Sequence, residues 1–262
     1  MNFYGMAPTD SAVETVKRLL PDCICIEDFS HCLFSLPEIF NSDVDFYAAS
    51  IRKSLGVCDG AVVVSNKELN TESITPQDNA FADSRHSAQE MKKLYGITHD
   101  DSLKQSFRES LGAAEHELDM FSEIHAMSRS AQTMLKTINA KQTAETRRIN
   151  LGHLVSIVRN IPNIKLLDGM TDITFDKRGR GTAYFSLPIL TDNRDAWQKE
   201  LASQGLYCPV LWPIDEAARA TCRISAEMSD RMLSVPIDQR YDFEDIEQIG
   251  RIISQTANSI SG

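Results

Sequence analysis

Positive charge is scarce in this chain. Lys and Arg number 27 against 37 Asp and Glu, a formal net charge of −10 over 262 residues. That balance argues against DNA or RNA as the main partner, because such binders carry a basic face. It leaves room for a small phosphate site, which needs only a few local donors. Long apolar runs are absent too, so no segment reads as a membrane span. Met1 to Pro8 has neither the basic start nor the apolar core of a secretory signal, so cytoplasmic residence is the expectation. The six cysteines then read as free thiols. Cys23 and Cys25 alternate with Ile24 and Ile26 on a short strand, but no second Cys or His pair follows at ligand spacing. They read as small buried hydrophobes, and no metal site is expected. Internal repeats and low-complexity segments are missing as well. What remains is the composition of an ordinary globular protein, 42% hydrophobic and 24% charged. It is long enough to bury a core without disulfides.

The first third reads as α/β. Ser11 to Leu20 has helical spacing and stops at Pro21-Asp22. Cys23 to Glu27, Val44 to Ala48 and Gly60 to Ser65 read as strands, which predicts a mostly parallel, doubly wound sheet. A polar excursion runs from Asn66 to Phe81. From Leu103 to Leu135 apolar residues recur every three or four positions, which predicts one long amphipathic helix packed on a core. A second helix covers Thr143 to Ile161 and ends at Pro162. Beyond it the spacing predicts strands at 164–167, 173–175, 182–187, 206–211 and 232–236. A turn is expected at Asp176–Gly181, a helix capped by Asp192, and a closing helix capped by Asp242. The expected organisation is part of an α/β large domain over 1–102, bridging helices over 103–161, and a small α+β domain over 162–262.

Two clusters carry chemistry. The first, Glu27-Asp28-Phe29-Ser30-His31, lies at the carboxyl end of the strand that begins at Cys23. Open α/β sheets place ligands at such ends. The plainer alternative is that Asp28 caps the next turn and His31 is a satisfied, half-buried imidazole. The second cluster is Ser50-Ile51-Arg52-Lys53, between two predicted strands. A lysine so placed is seldom free to point into solvent, and one desolvated beside another cation is a good nucleophile. The plainer alternative makes Arg52 and Lys53 ordinary turn cations. The same four residues fit the S-x-x-K element of penicillin-binding serine hydrolases. The S-D-N and K-T-G partners of that element are missing, since Val44 follows Ser42-Asp43 and Arg231 follows Ser229-Asp230.

Taken in order, strand, Glu-Asp-x-x-His, strand, Ser-x-x-Lys and Gly60-Ala61 resemble the pyridoxal phosphate enzymes of fold type I. The closest resemblance is to the DegT/StrS-like sugar aminotransferases, and Leu206–Pro213 and Leu233–Ile237 before the closing helix fit it too. The resemblance implies that Asp28 pairs with the pyridine nitrogen of the cofactor and that His31 lies beside its ring. Ser50 would contact its phosphate, and Lys53 would bind its aldehyde covalently and later act as general base. The implied function is a pyridoxal phosphate-dependent aminotransferase acting on a small or sugar-derived carbonyl. The alternative is a non-catalytic homologue that serves as a binding or structural protein.

Two departures bear on the substrate more than on the cofactor. Ala48 stands where sugar enzymes of the family carry Ser, and Gly56-Val57-Cys58-Asp59-Gly60 replaces their Gly-Glu-Gly-Gly. Family members also carry a further N-terminal section ahead of the part matching Asn2–Gly5, with a helix N-terminus that cradles the phosphate. The resemblance implies either an incomplete chain or a first half supplied as a separate polypeptide, with weak cofactor binding by this chain alone, and it implies a homodimer, because fold type I enzymes place the active site at a dimer interface.

Overall fold

The computed structural model describes residues 1–6, 10–76, 79–167, 170 and 183–260. The predicted strand at 173–175, the Asp176–Gly181 turn and the start of the 182–187 strand lie outside them. The chain divides into two compact units that are discontinuous in sequence. One comprises Ser11–Ser30 and Ser42–Ile138, the other Met1–Asp10, His31–Asn41 and Asn139–Gly262.

The first unit opens with helix α1 (Asp10–Leu19) and a three-stranded sheet in the order β1 (Ile26–Asp28), β2 (Phe46–Ser50), β3 (Ala61–Val64). β1 and β2 run parallel, and β3 is antiparallel to β2. Side chains alternate across the sheet. Tyr47 and Ala49 point into the core, whereas Ile26 and Val63, on the opposite face, are 64% and 51% exposed. Asp45, just before β2, ties the unit together. Its carboxylate accepts from Lys17 Nζ at 2.6 Å and from the Cys25 amide at 2.8 Å, and it pairs with Lys67 beyond β3.

Three helices follow in this unit, with the short α2 (Leu36–Ile39) belonging to the other. They are α3 (Asn79–Thr98), α4 (Asp101–Asp119) and α5 (Arg129–Thr137). The single long helix predicted from Leu103 to Leu135 is thus two. The apolar spacing persists, but Met120–Ser128 leaves the helix. Thr75 bonds Ile124 and Ala126 through its backbone there, at 2.9 Å each. Ser128 then starts a new helix by accepting from Ala131 N at 3.3 Å. Periodicity alone cannot register a break of this kind, because both segments keep the same apolar rhythm.

The second unit is built on α6 (Ala140–Val158), capped by the Asn139 side chain. It packs with the antiparallel sheet β4 (Ile164–Leu166), β5 (Ser186–Thr191), β6 (Met232–Pro236), in that order. Helices α7 (Arg194–Ser203), α8 (Glu216–Thr221), α9 (Arg223–Arg231) and α10 (Phe243–Ile260) complete it. Every residue of β5 is buried, and Leu154, Trp197, Leu233 and Ile253 close around it. Two expectations are corrected here. Asp192 does not cap α7, since that helix begins one residue later and Asp192 instead pairs with Arg231 at 2.6 Å. Leu206–Leu211 forms no strand. Leu206 and Cys208 alternate inward as a strand's would, but Pro209 has no amide to donate, and one bond from Ser234 N to its carbonyl is the link to β6.

Candidate functional site

The parallel pairing of β1 and β2 brings their carboxyl ends to one edge. Asp28 stands opposite Ala48, and Ser50 lies two residues further along β2, so both side chains belong to the same sheet face. Asp28 is half-buried, and its Oδ1 accepts from the Ser30 amide at 2.9 Å, the local turn that ends β1. The capping role weighed from the sequence is therefore present, and it occupies one carboxylate oxygen.

Ser30 latches the two strand ends. Its hydroxyl oxygen accepts from the Ser50 amide at 2.9 Å, and its carbonyl accepts from the buried Ser54 hydroxyl at 3.4 Å. Neither Ser30 nor Ser54 stood out in the sequence. A lone serine carries no periodicity, and only the strand pairing makes these two neighbours.

After Ser50 the chain makes one 3-10 turn, Ile51–Lys53. Three residues per turn send successive side chains in three directions. Ile51 is fully buried, Arg52 turns toward α4, and Lys53 is exposed. This corrects the expectation that a lysine between two strands avoids solvent. The turn reverses the chain early enough to present that position outward. Gly60 closes the same excursion. Its φ of +106° and its approach to Ile51, where a Cβ would come within 2.8 Å, leave space for glycine alone.

Arg52 does not remain free for a phosphate. Its two terminal nitrogens donate to the two carboxylate oxygens of Glu115 on α4, each at 2.8 Å. Arg85 on α3 donates to the same carboxylate, also at 2.8 Å. Burial pushes the Glu115 carboxyl up, but the Arg85 hydrogen bond and the charges of both arginines outweigh that and hold it below its ordinary value. Further along, Asp59 accepts from the Ser128 amide at 2.8 Å and its hydroxyl at 2.5 Å.

His31 belongs to the other unit. There it is 5% exposed, stacked on Phe185 at 4.1 Å between centroids, with Trp212 tilted against it at 4.9 Å. It is more deeply buried than either sequence reading supposed. Its aromatic neighbours lie more than 150 positions away, beyond the reach of a local pattern. Asp28, Ser50 and the Lys53 turn are thus brought together in one unit, and His31 is packed within its own. All six cysteines are free, and among the described residues no group of three or more His, Cys, Asp or Glu could hold a metal ion.

No family model and no curated protein matches this sequence. Solved structures do resemble it. A DegT/DnrJ/EryC1/StrS aminotransferase from Brucella abortus superposes with a TM-score of 0.59 at 16% identity, over 97% of this chain and 62% of its own. A putative sugar aminotransferase from Streptococcus pneumoniae gives 0.64 at 10% identity, over 99% and 68%. PseC of Helicobacter pylori, an aminotransferase of pseudoaminic acid biosynthesis, gives 0.60 at 12%, over 98% and 66%. This chain spans less than two thirds of the length of several such structures, 62% and 65% of the first two. Over that part it has the fold of the DegT/StrS-type aminotransferases, a partial fold type I large domain joined to a small α+β domain.

Proposed function

We propose that this chain carries the cofactor-binding edge of a pyridoxal phosphate-dependent aminotransferase acting on a small or sugar-derived carbonyl compound in the cytoplasm. The observation that carries the reading is the shared edge of β1 and β2. A carboxylate, Asp28, and a hydroxyl, Ser50, stand on one sheet face at parallel carboxyl ends, with the Lys53 amine on the turn that follows. The chemistry of this donor set suits the ring nitrogen, the aldehyde carbon and one phosphate oxygen of the cofactor. Asp28 would hold a proton at the ring nitrogen, Ser50 would donate to a phosphate oxygen, and Lys53 would bind the aldehyde carbon. When bound, the cofactor would supply the electron sink for a substrate losing its Cα proton, and the Lys53 amine would move that proton. A homodimer and a separate polypeptide covering the open sheet face are part of the proposal. The exposed Ile26 on β1 supports the latter, since parallel strands are ordinarily covered on both faces.

The second reading is a non-catalytic homologue, and one observation favours it. With Arg52 engaged by Glu115, the described edge offers a phosphate little beyond Ser50. One experiment separates the two. Purified chain is mixed with pyridoxal phosphate, reduced with borohydride and digested. A pyridoxyl group on the Lys53 peptide, lost in Lys53→Ala, is expected. Labelling that persists in the variant on another lysine refutes the assignment, and no labelling above a denatured control favours the non-catalytic homologue.

A further inference from the structure

The stretch Ile51–Gly60, which carries Lys53 between β2 and β3, is pinned from outside the sheet at three points. All three anchors come from the helical segment that follows the sheet. Arg52 is held by Glu115 of α4. The Val57 carbonyl accepts from Gln89 Nε2 of α3 at 3.1 Å. Asp59 accepts from Ser128, the residue that opens α5. The anchors are unequal. The Val57 anchor is a single hydrogen bond and the Asp59 anchor a pair from one serine, whereas the first is a two-pronged ion pair on the residue next to Lys53, sharing its carboxylate with a second arginine.

We propose that Glu115 is the positioning residue of Lys53. By gripping Arg52 in a fixed orientation, it holds the Ile51–Lys53 turn so that the neighbouring side chain leaves in one direction. This rests on the reading of Lys53 as the lysine that binds the cofactor aldehyde. The physical need is plain. A lysine side chain has four rotatable bonds, so its reach is useful only if its backbone is fixed. A single 3-10 turn has little rigidity of its own. A planar guanidinium bound by both ends to one carboxylate removes the remaining rotation. Arg85 strengthens the grip from behind. It is 5% exposed, and its donation fixes the Glu115 carboxylate on α4 so that the carboxylate cannot follow Arg52. Without Glu115, Arg52 and the buried Arg85 would both lose the carboxylate they share.

The test uses Glu115→Gln in the full chain. Glutamine keeps the shape but can accept at one oxygen only, so the two-pronged grip is lost. Hydrogen exchange of the Ser54 and Leu55 amides, both bonded to the Ile51 carbonyl, reads the turn directly and needs no cofactor. Exchange at least ten-fold faster at these two amides is expected, with the Phe29 amide, which bonds the Ala48 carbonyl of β2, unchanged. Borohydride trapping on Lys53 should slow about ten-fold in parallel. Glu115→Asp, which keeps the charge, should recover part of both, and it serves if Glu115→Gln does not fold. Unchanged exchange at Ser54 and Leu55 overturns the proposal. So does acceleration spread equally over β1 and β2, which would make Glu115 a general support. If the wild-type chain is never trapped at Lys53, the cofactor reading fails, while the exchange measurement still decides the grip.

Discussion

Asp45 and Asp28 begin and end the same short stretch of sheet, and their surroundings give them different tasks. Asp45 is saturated. The Cys25 amide, Lys17 and Lys67 converge on it and hold its carboxyl far below the ordinary carboxylate range. Asp28 accepts one backbone bond and stays half-buried at the carboxyl end of β1. A carboxyl with a depressed folded value stabilises the fold in its charged form. That stabilisation is complete above the unfolded value of about 4 and is lost as pH falls below it. The urea midpoint of the wild type should therefore exceed that of Asp45→Asn most at neutral pH, with the gap narrowing toward about pH 3. A gap independent of pH would show that the charge of Asp45 is irrelevant and only its shape matters. The sequence offered Asp28 through its neighbours, Glu27 and His31. It offered no hint of Asp45, whose partners sit 20 or more positions away.

At the scale of elements, α1, α6, α7, α10 and the strands β2, β3 and β6 were legible within a few residues, because their apolar spacing or β-branched content is local, whereas α3, α8 and α9 were not delimited by it. The closing helix is a clear case. Its apolar stripe of Ile246, Ile249, Ile252 and Ile253 is buried as that spacing predicts. Its contact with α6 has a feature that spacing cannot show. Gly250 lies where an added Cβ would come within 2.8 Å of two carbons of Ile157, on the turn that follows α6's buried Leu154 and Val155. The glycine permits the close approach of the two helices. Gly250→Ala gains helix propensity of about 1 kcal/mol, but the crowding of a packed contact costs about 1–3 kcal/mol. The net expectation is a loss of stability at a position where alanine normally helps. A thermal midpoint that rises instead would show that Ile157 yields freely. The division of the predicted long helix at Met120–Ser128 has the same origin. Thr75 and Asp59, both distant in sequence, supply bonds that end α4's run and start α5.

For the molecule as a whole, two cores assembled from interleaved stretches predict unfolding in more than one step. Both tryptophans, Trp197 and Trp212, lie in the Asn139–Gly262 unit. Their fluorescence reports that core alone, whereas far-ultraviolet circular dichroism reports all the helices. The two urea transitions should not coincide, and superimposable curves would mean that the units unfold as one. The sequence by itself determined the class of the fold and set a carboxylate, a hydroxyl and a lysine in that order, at the end of β1, the end of β2 and the turn after it. Strand propensity and chain order are local properties, and the parallel connection between neighbouring strands leaves them few alternatives. Only the tertiary structure decided where the side chains go. It turned Lys53 outward, bound Arg52 to Glu115, buried His31 between Phe185 and Trp212, and built a charge cluster around Asp45. Each of these depends on residues brought together from far along the chain, and burial and ion pairing respond to distance in space, not to distance in sequence.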